Sequence, residues 1–297
     1  MSRRSLGVVL GIARRGARRA IKNPAFAFSP MAVPLFMFAA FAGALSSLGT
    51  TPGFDYYNYT AFIFVFVLYE ACVFVGIFTG VDMAADFGGG LGDRFMLAAP
   101  KRLAIVAGYV LFMLGRALLA IAVVWGVAVA TGMPVRGPAL EIAGIVALAL
   151  MLATATMLWA AGLSLRMRSP EAAALIFLPS FLVLFLTPAF VPRHLLTSWL
   201  HTAADINPVT PAMEAGRNFM AHTHAHVGLA FGATAALVVA FSFWAVRGMR
   251  AAERGPRAPR APGAGGPAAR RREMAARVRA RRGSAGRRAR RAHATSR

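Results

Sequence analysis

DFGGGLGDRFMLAAPKR, residues 86–102, is a polar, glycine-broken island between two long hydrophobic runs. Apolar residues make up 58% of the chain, and several runs exceed the roughly 20 helical residues that cross a hydrocarbon core. A soluble domain does not read this way. The island is therefore expected to be a cytoplasmic excursion by which a membrane protein is gripped.

The formal net charge of +22 invites a nucleic-acid reading, but its distribution points elsewhere. Residues 24–246 hold nine acids and nine Lys or Arg and sum to zero, whereas residues 1–23 hold seven basic groups and no acid. Residues 247–297 hold 17 basic groups against Glu253 and Glu273. Excess cations at both ends fit a membrane domain with both termini cytoplasmic, where Lys and Arg are retained and can touch anionic headgroups. Nucleic acid is not an expected partner; membrane lipid is. Cys72 is the lone cysteine, which excludes an internal disulfide and a Cys-based metal site. The short apolar patch Leu6 to Ile12 is followed by Arg14 and Arg15, so no cleavable leader is expected.

Three regions follow. Residues 1–23 form a basic interfacial segment, with Leu6, Val9, Leu10, Ala13, Ala17 and Ala20 on one face of a helix over 3–22 and Arg4, Arg14, Arg15, Arg18 and Lys22 opposite. A disordered basic leader is the competing reading; in the helical reading Asn23-Pro24 ends the helix. Residues 24–248 carry six apolar spans, near 28–48, 58–82, 103–131, 142–165, 172–190 and 226–247. Cations fall in 83–102 and 166–171, whereas 49–57 and 132–141 carry only Arg136, which obeys the positive-inside bias. Residues 249–297, rich in Arg, Ala, Gly and Pro, are expected to be a disordered cytoplasmic tail.

The connection 191–225 is too long and apolar for an ordinary loop. It reads as two short helices forming an outer re-entrant hairpin, the second with Thr210 as N-cap and Pro211 at its first position. The fold class expected is all-α: six transmembrane helices, an N-terminal amphipathic helix and this hairpin before the last span.

Glu70 and Arg116 are the ionisable residues deep in the spans. With cytoplasmic ends at Asp82 and Leu103 they lie 12 and 13 residues in, at similar depth, roughly 20 Å from the inner surface. An unpaired charge there is costly, so the two are expected to pair or to share a polar cavity. The pair has two readings, a fixed ion pair setting helix register or a part of the transport path. His222, His224 and His226 alternate, but alternating positions diverge on a helix and no carboxylate is expected beside them, so no metal site is assigned. Neither Lys22 nor Lys101 fits a G-x-x-x-x-G-K-[ST] phosphate loop, and no acid–base or nucleophilic constellation is discernible. The chain is expected to be no enzyme, to hold no cofactor, and to take ATP energy only from a second chain.

Leu91-Gly92-Asp93-Arg94-Phe95, Pro100-Lys101-Arg102 with Gly108, and Asn207-Pro208-Val209-Thr210-Pro211 with Glu214 and Arg217 resemble the type-2 ABC transporter permeases, in particular the branch similar to daunorubicin-resistance exporters. The likeness spans about 10–248. It implies a permease subunit in the bacterial inner membrane, paired with a second copy or sister permease and driven by a separate ATP-binding subunit that holds ATP and Mg. Segment 91–100 would be the coupling helix, with Asp93 as a cap, Phe95 and Leu97 as groove anchors and Pro100 as its stop. Asn207, Pro208, Thr210, Pro211, Glu214 and Arg217 would belong to an external gate. Gly88-Gly89-Gly90 and Tyr109 depart from the family pattern. The expected cargo is a hydrophobic or amphipathic drug, natural product or lipid-linked molecule. The alternative is a secondary transporter or channel working through Glu70 and Arg116, and against it no internal repeat relates the two halves.

Overall fold

The computed structural model describes residues 3–50, 54, 56, 58–133, 138–169 and 171–253. Among these the chain is all helical: α1 (Arg3–Lys22), α2 (Pro24–Ala44), α3 (Tyr59–Gly88), α4 (Leu91–Ala98), α5 (Leu103–Ala130), α6 (Ala139–Met167), α7 (Ala172–Phe185), α8 (Ser198–Ile206), α9 (Thr210–Met220) and α10 (Val227–Glu253). Single 3-10 turns cover Ser46–Thr50 and Arg193–Leu195. The tail beyond 253 lies outside the described residues, but α10 itself runs past the expected boundary at 248.

Five helices are long and apolar enough to cross a membrane: α2, α3, α5, α6 and α10 through Ala252. The fifth expected span, 172–190, is helical only over the 14 residues of α7, about 21 Å at 1.5 Å per residue and short of a core about 30 Å thick. The chain then breaks at Leu186, just before Pro188, which cannot continue the helical ladder. The first span begins earlier than expected, because Asn23 Oδ1 accepts the Phe26 N–H and Pro24 occupies the first turn.

α3 is the central helix. It is apolar all round, and 22 of its 30 residues are buried. Its length, about 45 Å, exceeds the hydrocarbon core, so Asp82 and Asp86 sit near one extremity. Small residues allow its neighbours to approach: a Cβ at Gly76 would lie 2.6 Å from the Ala153 carbonyl oxygen, and one at Gly80 would collide with Ala160. Ser164 Oγ donates to the Gly80 carbonyl at 2.7 Å, locking α6 onto α3. On the other side of α6, Gly162 leaves room for the Trp244 ring of α10.

The amphipathic helix is found over the expected residues, but its basic residues are not all on an outward face. α1 packs along α5, with Gly108 accommodating Val9 and Ile12 and Gly16 accommodating the Phe112 ring. Arg15 and Arg19 turn toward α3, while Leu6, Leu10 and Ile21 are exposed.

Candidate functional site

Two clusters of polar side chains lie at opposite ends of the helices. The first surrounds the island. α3 ends at Gly88, Gly90 takes φ +77°, a backbone state costly for other residues, and α4 starts at once. Gly88 is needed for a close approach, since a Cβ there would lie 2.8 Å from the Arg168 carbonyl oxygen. The triple glycine thus makes a compact reversal.

On α4, Asp93 sits in the first turn and makes no capping hydrogen bond, contrary to expectation; Gly90 holds the cap position. The Asp93 carboxylate meets Arg168 Nη1 at 3.3 Å. Phe95 is half-buried beneath the Arg15 guanidinium, 5.6 Å from its ring centre. Ala99 is extended, as expected before Pro100, and α4 stops there. Arg94 and Pro100 are exposed, and Leu97 is 90% exposed. Arg168, not singled out from the sequence, is the organiser: its Nη2 also donates to the Ala252 carbonyl at 2.7 Å, tying the ends of α4, α6 and α10. Its left-handed φ of 50° marks a forced turn that composition cannot reveal.

Behind α4 the acids of α3 are held by cations from two other helices. Asp86 pairs with Arg15 and accepts the Tyr109 hydroxyl at 2.5 Å, so Tyr109 has a defined partner. Asp82 lies 3.7 Å from Arg19 and 3.6 Å from Arg116. Arg116 also donates to the Phe26 carbonyl and, at 3.4 Å, to the Ala27 carbonyl, and stacks on the Phe26 ring.

The expected partnership of Glu70 with Arg116 is therefore not formed. α3 extends six residues beyond Asp82, so the two helices are offset relative to the sequence reading and Arg116 reaches the level of Asp82. Both Glu70 carboxylate oxygens are buried and make no hydrogen bond among the described residues.

The second cluster is built on Arg217, 1% exposed on α9. Its guanidinium donates to the carbonyls of Pro188 at 2.6 Å, Ala189 at 2.9 Å and Phe62 at 3.3 Å, and it lies 3.4 Å from the Phe62 ring centre. The Pro188 and Ala189 carbonyls follow the break after α7 and lie outside any helix, whereas Phe62 belongs to α3. Tyr59 supplies the next carbonyl, Phe190, with a hydroxyl at 3.2 Å.

Asn207 is equally structural, donating to the Val183 carbonyl at 2.6 Å and accepting the Val209 N–H at 2.9 Å. Two short helices, α8 and α9, do occupy the segment. Val209, not Thr210, is the cap of α9; Thr210 is its first residue, Pro211 its second, and the Thr210 hydroxyl has no hydrogen-bond partner. Pro208 is exposed. Glu214 lies 3.5 Å from Arg193, which also bonds Asp205 at 2.7 Å. Burial opposes the Arg193 charge, but the Asp205 hydrogen bond and the Glu214 charge hold its pKa above the ordinary value.

The expectation that no carboxylate adjoins the histidines is overturned in space. Glu141 of α6 lies 2.8 Å from His222 Nδ1 and 3.3 Å from His224 Nε2, because the turn after α9 folds back over the start of α6. Among the described residues no group of three or more His, Cys, Asp or Glu is arranged to hold a metal ion.

Between the clusters, α3, α6, α7 and α10 border a partly open apolar pocket of about 260 Å³, lined by Val73, Trp159, Val183, Leu237 and Phe241 among others. No curated protein matches the chain. A family model described as the ABC-2 type transporter matches residues 8–221, a stretch that takes in the α1–α5 packing, the island and the Arg217 cluster. With five membrane-length helices, a short helix set between two of them and this match over most of its length, the chain belongs to the ABC-2 type transporter family.

Proposed function

We propose that this chain is the permease subunit of an ATP-driven exporter of a hydrophobic or amphipathic molecule, with α4 as the helix on which a separate ATP-binding subunit docks. The observation that carries this reading is the division of labour on α4. Asp93 and Phe95 are engaged by Arg168 and Arg15 of the same chain, while Arg94 and the 90%-exposed Leu97 face outward. A short helix braced from behind with an exposed apolar anchor suits transmission of force from a docked partner.

In this reading α1, α4, the 166–171 turn and the end of α10 face the cytoplasm of a bacterium, and 172–190 completes six crossings together with its broken end. The segment 191–221 is a re-entrant outer gate, and the irregular backbone that leads into it at 188–190 is tolerated because Arg217 and Tyr59 satisfy its carbonyls. Cargo moves between this permease and a second copy or sister permease. The apolar pocket supports a cargo with little charge.

The test is purification of the tagged chain from native membranes in mild detergent and identification of stoichiometric partners by mass spectrometry. A Walker-type ATPase that is lost when Arg94 and Leu97 are both changed to Ala supports the reading. A folded sample carrying no ATPase overturns it.

A further inference from the structure

The groove between α1 and α5 has a volume of about 700 Å³ and adjoins the first cluster through Arg116. One wall is α1, with Leu10, Ala13, Ala17 and Ile21; the other is α5, with Leu111, Gly115 and Leu119. Leu10 and Ile21 are 51% and 80% exposed, and Leu111 is 41% exposed. A groove with such walls in a membrane protein is filled by something apolar along its length.

It is not uniformly apolar. Arg14 lines it and is exposed, and unlike Arg15 and Arg19 it pairs with no acid among the described residues. Arg116 lines it as well, with a side chain only 2% exposed. Arg116 Nη1 lies 3.6 Å from Asp82 and makes no hydrogen bond. An occupant is thus required to be apolar over most of its length and anionic at one end. α1 reinforces the sign, since it carries seven cations and no acid.

We propose that this groove is a binding site for one anionic phospholipid, its acyl chain lying between α1 and α5 and its phosphate held by Arg14. Bound lipid would then stabilise the arrangement in which α1 brings Arg15 and Arg19 to the α3 acids behind α4. The proposal does not depend on what cargo the protein moves or on whether it is an exporter.

The test uses the full-length chain in mild detergent, titrated separately with phosphatidylglycerol and phosphatidylcholine and read by native mass spectrometry. Gly115→Phe places a ring on the groove wall, where a Cβ at Gly115 meets nothing within 4 Å. Arg14→Gln alters an exposed side chain. Wild type is expected to retain one phosphatidylglycerol in preference to phosphatidylcholine, and Arg14→Gln to lower that preference about fivefold, the effect of one cation near a membrane surface. Gly115→Phe should lower retention of both lipids at an unchanged unfolding midpoint. Equal retention of the two lipids by wild type, or wild-type retention of phosphatidylglycerol by both variants, overturns the proposal. So does a lipid-free wild type whose dimer is broken by Gly115→Phe, which would make the groove a contact between copies.

Discussion

Arg217 donates to the carbonyl of Pro188 at 2.6 Å, joining residues 29 positions apart in the chain. Pro188 follows the point where α7 stops, and the guanidinium fork supplies donors to consecutive carbonyls that would otherwise be buried and unsatisfied. Arg217→Met keeps the volume and removes the donors. It is expected to destabilise the protein by about 3 kcal/mol or more, since each buried unsatisfied polar group costs about 1–3 kcal/mol. Arg217→Lys should recover only part of this, because an ammonium lacks the fork. A thermal unfolding midpoint for Arg217→Met equal to wild type would rule the role out.

Asp82, and not Glu70, is the acid beside Arg116. A double-mutant cycle of Asp82→Asn with Arg116→Gln, read by unfolding in detergent, should give a coupling energy within the ~0.5–3 kcal/mol common to contacting pairs. The cycle of Glu70→Gln with Arg116→Gln should be additive. Coupling in the second cycle and none in the first would restore the pairing expected from the sequence.

Leu97 is exposed where Phe95 is covered. Leu97→Asp should leave stability within about 0.5 kcal/mol of wild type, as surface changes do, yet abolish co-purification with the ATP-binding subunit. Loss of the fold in this variant, or undiminished co-purification, contradicts the assignment.

Gly80 and Gly43 are both helical glycines in membrane-length helices, but only Gly80 is in a tight contact. Gly80→Val drives a side chain into Ala160 and strains the Ser164 hydrogen bond, for an expected loss of about 1–3 kcal/mol. Gly43→Ala meets nothing within 4 Å and should be neutral or slightly stabilising. Equal midpoints for the two variants would show that α3 and α6 do not pack through this contact.

What could be read in advance depended on how local the signal was. α1 was legible to the residue because its period and the Asn23-Pro24 stop are properties of neighbouring residues. α9 was displaced by one position, since Val209, not Thr210, caps it and the polar hydroxyl is left without a partner. The site residues divide in the same way. Pro100 ends α4 as its backbone chemistry demands, but the roles of Arg168 and Glu141 rest on turns that bring distant segments together, and neither residue carries a local signature.

The amino-acid sequence by itself determined an all-helical membrane chain with a polar island between long apolar helices, because hydrophobic length and charge placement act through the solvent and need no tertiary contact. It also showed that neither Lys22 nor Lys101 stands in a phosphate-loop motif. Only the tertiary structure decided which charges meet. That choice follows from helix register and rotation, which are set by close approaches such as Gly76 on Ala153 and Gly108 on Ile12. Residues far apart in sequence therefore share one environment: Arg15, Arg19 and Arg116 around Asp82 and Asp86, and Arg217 against the broken end of α7.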